Sequence, residues 1–189
     1  MDYTLEEKYK LIKDDILKQD SKNPIDIVKN IMNKDYINMH GPEHHFLDGS
    51  AFLMAYKNAG GDIDINNALE KLKERTIKMP GAMCGYWGVC GSVSSIGACL
   101  SIINRTGPLT NNSYYKDNME YTSSVINKMS KIGGPRCCKR NAYLSLSNGV
   151  NFVKEKYNVE MGLDKIECDF SCKNIDCIKE ACPFYKIVK

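Results

Sequence analysis

No stretch of this sequence is both long and apolar. The most apolar segment, residues 93–103, contains three serines and falls far short of the roughly 20 residues that a membrane-spanning helix needs. Neither sign of charge dominates, since 26 Lys and Arg stand against 23 Asp and Glu. Nucleic-acid and membrane partners are therefore not expected. With 43% hydrophobic residues, the chain can bury a core without disulfides.

The first residues also lack the apolar core of a secretory signal, which predicts a cytoplasmic protein. Cysteine, by contrast, is abundant, with nine in 189 residues. Thiols stay reduced in the cytoplasm, so these cysteines are interpreted as metal ligands or catalytic thiols rather than disulfides.

Strand alternation is absent as well, whereas helical periodicity recurs along the chain. Capping residues and glycine or proline stops predict helices that begin at Thr4, Pro24, Pro42, Asp64 and Ser92. Two more helices are predicted from the apolar spacing over residues 115–129 and 142–157. We therefore expect an all-α, multi-helix bundle over residues 1–160, with its core motifs at 38–157. Residues 161–189 form a short cysteine-rich segment.

That segment carries four cysteines at short intervals: Cys168, Cys172, Cys177 and Cys182. Short turns between thiolates let a chain wrap a metal ion or cluster. Pro183 directly follows the last cysteine, as in bacterial ferredoxin sequences, although the spacing differs from theirs. An iron–sulfur cluster, four-iron in type, and a zinc ion remain alternatives, as do a redox pair and unliganded thiols.

All three histidines lie within residues 40–45, where a helix is expected to begin. His40, Glu43 and His44 lie near free backbone N–H groups, which makes them candidates for proton transfer or metal binding. Asp48, three residues after His45, is expected to orient that imidazole. Solvated histidines at a capped helix start are the alternative.

The glycine-rich segment 81–97 holds Cys84 and Cys90 just before a predicted helix. The amides at the start of that helix are expected to lower the pKa of both thiols. Trp87 is interpreted either as a lid over a substrate or as a core residue. Cys99, on a face of small residues, is predicted to lie in the core.

Residues 133–140 place a cysteine pair at another helix start, Cys137 and Cys138, beside three cations. The same field should acidify these thiols, and Arg136 could hold an anionic substrate. Adjacent residues point in different directions on a helix, so only one of the pair should face a shared site. If the turns meet at one end of the bundle, they line one pocket.

Four motifs in order, at residues 40–47, 84–91, 133–140 and 182–185, resemble an uncharacterised cysteine-rich domain family of anaerobic bacteria and methanogenic archaea. The resemblance covers about residues 38 to 185. Members of that family are also found attached to radical-SAM proteins. The resemblance implies a metal- or cluster-linked role in anaerobic metabolism, and it assigns no reaction and no catalytic residue.

Together these patterns predict an iron–sulfur protein that performs redox or sulfur chemistry on a small molecule or serves a redox partner protein. His44 or Glu43 would move the proton, and a cysteine would act as nucleophile or open-cluster ligand. One alternative is a non-enzymatic, zinc-stabilised accessory domain that delivers metal or sulfur. The other is a thiol hydrolase or transferase with a Cys/His pair.

Overall fold

The computed structural model describes residues 3–186, and its secondary structure is helical. These residues form eight α-helices: α1 Leu5–Ile16, α2 Pro24–Met32, α3 Glu43–Asn58, α4 Ile65–Thr76, α5 Met83–Tyr86, α6 Gly91–Ile103, α7 Asp117–Ile132 and α8 Cys138–Tyr157. Two 3₁₀ turns, Ser113–Lys116 and Lys179–Ala181, complete the regular structure of the described residues. The all-α prediction is confirmed.

Local capping explains why the predicted helix starts are close to the observed ones. Thr4 and Glu7 form a reciprocal capping box at the start of α1, with Thr4 N–H donating to Glu7 Oε2 at 2.8 Å. Asn23 Oδ1 accepts the N–H of Ile25 at 2.9 Å, and Asp64 Oδ1 accepts the N–H of Asn67 at 3.2 Å. Such side chains satisfy N–H groups that have no partner within the helix.

Two features of the helices differ from the sequence prediction. The short α5 was not predicted, because four residues carry no periodic signal. On α7 the buried residues are Asp117, Tyr121 and Val125, whereas Met119, on the predicted apolar face, is 56% exposed. The buried face of α7 is therefore the one that carries Tyr121. The hydroxyl of this residue donates to the Ser145 carbonyl of α8 at 2.7 Å.

Helix α3 lies at the centre of the fold, in contact with α1, α2, α4, α6 and α8. It is buried from Glu43 to Tyr56, and small residues let α6 approach it closely. Gly49 faces Ser95 and Cys99 of α6, and the Cys99 thiol donates to the Gly49 carbonyl at 3.4 Å. Cys99 is fully buried, so its predicted core position is confirmed.

The segment after α8 packs onto the bundle beside α2 and the first half of α8. Gly162 N–H donates to the Lys22 carbonyl at 2.8 Å, and Lys29 Nζ donates to the Glu167 carbonyl at 2.5 Å. The Phe184 ring meets the Tyr143 ring edge-on at 5.6 Å between centroids. These contacts hold the cysteine-rich segment against the start of α8. None of the helices in residues 3–186 has the length and apolar character needed to cross a membrane.

Candidate functional site

Four cysteines from two distant parts of the chain line one cavity, which we call the tail cavity. Cys168, Cys177 and Cys182 come from the C-terminal segment, and Cys137 comes from the residue that caps α8. Arg140 and the side chains of Phe170 and Phe184 also line it, together with Ser171, Asn174, Asp176, Ile178 and Tyr185. Folding therefore adds Cys137 to three of the four cysteines that spacing groups together.

Backbone N–H groups point at the sulfurs of this cavity. Cys168 Sγ accepts from Phe170 N–H, and Cys177 Sγ accepts from Lys179 N–H, each at 3.4 Å and two residues further on. Cys137 Sγ accepts from the N–H of Arg140, also at 3.4 Å. A hydrogen bond to sulfur favours the thiolate over the thiol and tunes the potential of a bound cluster.

Cys172 lies outside this arrangement. It is exposed, and it is not among the residues that line the tail cavity. The turn at residues 171–173 carries its side chain away from the other three cysteines of the segment.

His40 connects the start of α8 to the tail cavity through Asn174. The N–H of Cys138 donates to His40 Nδ1 at 3.4 Å, so Nε2 carries the proton and donates to Asn174 Oδ1 at 3.3 Å. Asn174 Nδ2 in turn lies 3.7 Å from Cys137 Sγ. Burial lowers the pKa of His40, which keeps this relay neutral at pH 7. Asn174 was not predicted, because an isolated amide in an irregular segment gives no signal in the sequence.

A second group of side chains lines a separate cavity, the inner pocket, with a volume of about 30 Å³. The three predicted turns do meet here. The pocket residues with chemically active side chains are His44, His45, Asp48, Cys84, Cys90, Arg136, Cys138 and Asn141. Cys137 and Cys138 thus face different cavities, as expected for neighbours on a helix. Glu43 points elsewhere, because its carboxylate pairs with Lys8 at 3.2 Å and accepts the N–H of Asn38 at 2.9 Å.

Asp48 is the most unusual group in the inner pocket. It is fully buried, and neither carboxylate oxygen has a hydrogen-bond partner. The nearest cationic or ring nitrogen is His44 Nδ1, 3.8 Å from Oδ1. The expectation that Asp48 orients His45 is therefore wrong. The i to i+4 spacing on α3 instead brings Asp48 opposite His44.

Lys139 lies behind His44 and is only 1% exposed. Its ammonium donates to the Asn38 carbonyl at 3.0 Å and lies 3.1 Å from His44 Nε2. His44 Nε2 also lies 3.1 Å from the Asn38 carbonyl oxygen, so this nitrogen meets a donor in Lys139 and an acceptor in Asn38. Burial lowers the pKa of Lys139 to about 8. In the sequence Lys139 is one of three cations near the cysteine pair, and its burial was not predicted.

The inner-pocket thiols do not have the acidic character that their helix positions suggest. Burial raises the pKa of Cys138 to about 12, although the Gly41 N–H lies against its sulfur. Burial also raises the pKa of Cys90, against hydrogen bonds from the N–H groups of Val93 and Ser92. Desolvation outweighs the helix terminus in both cases, so the expectation of lowered pKa values is wrong for these two cysteines.

A larger cavity of about 280 Å³ adjoins the inner pocket, and Cys84 and Cys90 line both. Arg136 and Arg140 also line the larger cavity, beside the C-terminal turn of α7. Its volume suits a small organic molecule, and the guanidinium of Arg136 suits an anionic one, whereas Arg140 Nη2 already donates to the carbonyls of Gly133 and Pro135. Trp87 is 64% exposed on the neighbouring loop, which excludes a role as a core residue.

These cysteine and histidine motifs fall within residues 12–185, which match a family described as being of unknown function, DUF5714. The chain belongs to this family. No curated protein and no solved structure matches it.

In this member of DUF5714 all nine cysteines are free. Within residues 3–186, no three side chains of His, Cys, Asp or Glu have the spacing to hold a metal ion as they stand. The thiols line shared cavities, so binding a metal would require their side chains to move closer together.

Proposed function

We propose that the chain is an iron–sulfur protein whose cluster, four-iron in type, is held by Cys137, Cys168, Cys177 and Cys182. The observation that carries this proposal is the tail cavity, where four thiols from two distant segments meet. Three of them accept backbone N–H groups. Four thiolates are the usual ligand set of such clusters.

The surroundings of the four thiols suit a cluster. Phe170 and Phe184 contribute apolar wall, which limits water and so affects the potential of a bound cluster. Arg140 supplies a positive charge that balances part of the charge on the thiolates. Burial raises the pKa of Cys168 and of Cys182, so these thiolates need a compensating cation, which a bound metal supplies.

The cavity of 280 Å³ beside Cys84 and Cys90 supports a role in redox or sulfur chemistry on a small anionic molecule. Arg136 would hold the anion, and the exposed Trp87 would cover it. Free thiols and a cluster fit the cytoplasm of an anaerobe, and the family resemblance makes a radical-SAM protein a candidate redox partner. Zinc is the competing occupant of the four-thiol site, because it uses the same ligands.

Anaerobic purification followed by metal and sulfide analysis tests the proposal. We expect a brown protein with charge-transfer absorption at about 400 nm and with iron and acid-labile sulfide in equal amounts. A colourless protein that contains zinc and lacks sulfide would overturn it.

Variants of single cysteines identify the ligands. Cys137→Ala and Cys177→Ala should each lose most of the iron and sulfide, whereas Cys172→Ala should retain both. Cys172 is a matched control, because it belongs to the same segment but is exposed. Loss of the cluster in Cys172→Ala but not in Cys137→Ala would contradict this ligand set. It would favour instead the four cysteines of the C-terminal segment, Cys168, Cys172, Cys177 and Cys182.

A further inference from the structure

We infer that the inner pocket is a second metal site, separate from the tail cavity, in which Asp48, Cys90 and Cys138 bind one thiophilic divalent ion such as Zn²⁺ or Fe²⁺. The three residues come from α3, from the cap of α6 and from the first turn of α8. All three side chains line the same cavity.

The carboxylate of Asp48 supplies the first argument. Buried charges in proteins are paired or coordinate metals, since an isolated buried carboxylate is strongly unfavourable. Asp48 is fully buried, and both of its oxygens lack a hydrogen-bond partner. His44 Nδ1, at 3.8 Å, is too far away to serve as that partner. A cation in the pocket would satisfy the carboxylate.

The two thiols supply the second argument. Cys90 and Cys138 line the same cavity as Asp48, and Cys90 Sγ accepts from Asn141 Nδ2 at 3.4 Å. Thiolates are preferred ligands of thiophilic divalent ions. The pocket therefore brings two such ligands together with a carboxylate that has no other partner.

The surrounding cations also suit an ion whose ligands are two thiolates and one carboxylate. Arg136 lines the pocket, and the ammonium of Lys139, 1% exposed, lies behind His44. The negative charge of the three ligands exceeds the charge of a divalent ion by one, and either cation would offset this excess.

The size and position of the pocket determine what it can hold. The pocket, at about 30 Å³ against about 280 Å³ for the larger cavity, has room for an ion with a water molecule or two and is smaller than the sites of drug-sized ligands, which measure roughly 300–1,000 Å³. Cys84 lies at the boundary with the larger cavity, since it lines both. Three protein ligands would leave one position of a tetrahedral ion open, as in catalytic zinc sites.

Anaerobic Co²⁺ titration of the full-length protein tests the inference, because thiolate ligation of Co²⁺ gives strong near-ultraviolet absorption. Asp48→Asn and Cys138→Ser should each lose one equivalent of tightly bound Co²⁺ and keep their iron and sulfide. Cys177→Ala should lose the tail cluster and keep this equivalent, so the two sites are distinguished. Cys99→Ala, a buried cysteine of α6 outside the pocket, is the control and should bind like wild type.

A measurement on the unaltered chain avoids any folding defect of the variants. Bound Co²⁺ or Zn²⁺ should slow alkylation of Cys90 and Cys138 at least about 10-fold, as followed by mass spectrometry. Unchanged Co²⁺ stoichiometry in Asp48→Asn together with unprotected Cys90 and Cys138 would overturn the inference.

Discussion

The close contact between α3 and α6 at Gly49 leads to a prediction whose magnitude follows from the packing. A Cβ atom at Gly49 would overlap Ser95 Oγ, and it would lie 2.8 Å from Leu72 Cδ2 and 3.1 Å from Cys99 Sγ. Overpacking of this kind costs about 1–3 kcal/mol, while alanine gains about 1 kcal/mol over glycine in a helix. Gly49→Ala should therefore lower the free energy of unfolding by up to about 2 kcal/mol, which lowers the Tm by up to about 8 °C.

A double-mutant cycle with Ser95→Ala tests whether the overlap with Ser95 causes this loss of stability. The Ser95 hydroxyl is buried without a hydrogen-bond partner, so Ser95→Ala alone should be neutral or stabilising by about 1 kcal/mol. In the Gly49→Ala background the same change also removes the overlap. The double variant should thus be more stable than the sum of the single effects by at least about 0.5 kcal/mol.

Urea unfolding of the metal-free protein, followed by circular dichroism, gives all four free energies. Gly85→Ala in α5 is the control, because a Cβ at Gly85 meets nothing within 4 Å, so this variant should show only the gain of up to about 1 kcal/mol that alanine has over glycine in a helix. Stabilisation by Gly49→Ala, or additive effects in the cycle, would refute the packing argument.

Two further predictions concern pH and thiol reactivity. Glu43→Gln should lower stability at neutral pH by about 1.5–3 kcal/mol, because Glu43 is 1% exposed and pairs with Lys8. Burial alone would raise the pKa of Glu43, but backbone N–H groups and nearby cations lower it below 4.5. The stabilisation is therefore present above about pH 4.5 and is lost as the pH falls, and a wild-type advantage that stays constant down to about pH 3 would contradict this. In timed alkylation of the metal-free protein, Cys172 should react first because it is exposed. Cys99 should react last, because it is buried and because burial raises the pKa of its thiol. The reverse order would show that Cys99 is accessible.

Much of the fold could be predicted from the sequence because its signals are local. The caps at Thr4, Asn23 and Asp64 set helix starts within a few residues, and the glycine and proline turns stop helices. The three motif turns could be recognised for the same reason, because each is a short run of glycine, proline, cysteine or histidine residues. Residues of all three turns line the inner pocket. The buried face of α7 was harder to predict, because two of its residues are polar and find their partners on α8. The Asp117 carboxylate accepts from the Tyr157 hydroxyl, and the Tyr121 hydroxyl donates to the Ser145 carbonyl.

The site could be predicted only in part, because its decisive contacts join residues far apart in the chain. Cys137 lies 31 or more positions from the tail cysteines with which it shares a cavity, and no spacing rule connects them. Asp48 looks like an ordinary polar residue of a helix until its neighbours on α6 and α8 are known. Lys139, in a run of cations, resembles a surface residue but is buried.

The adjacent residues Cys137 and Cys138 give the start of α8 an additional property. Cys137 faces the tail cavity and Cys138 faces the inner pocket, so one peptide bond joins a prospective ligand of each metal. If both proposed metals bind, a movement of the first turn of α8 that tightens one site would shift the thiol of the other. Coupling of this kind is reciprocal, so the factor by which a cluster altered affinity for the divalent ion would equal the factor by which the ion altered affinity for the cluster. The order in which the two metals are loaded would then depend on the position of this one turn.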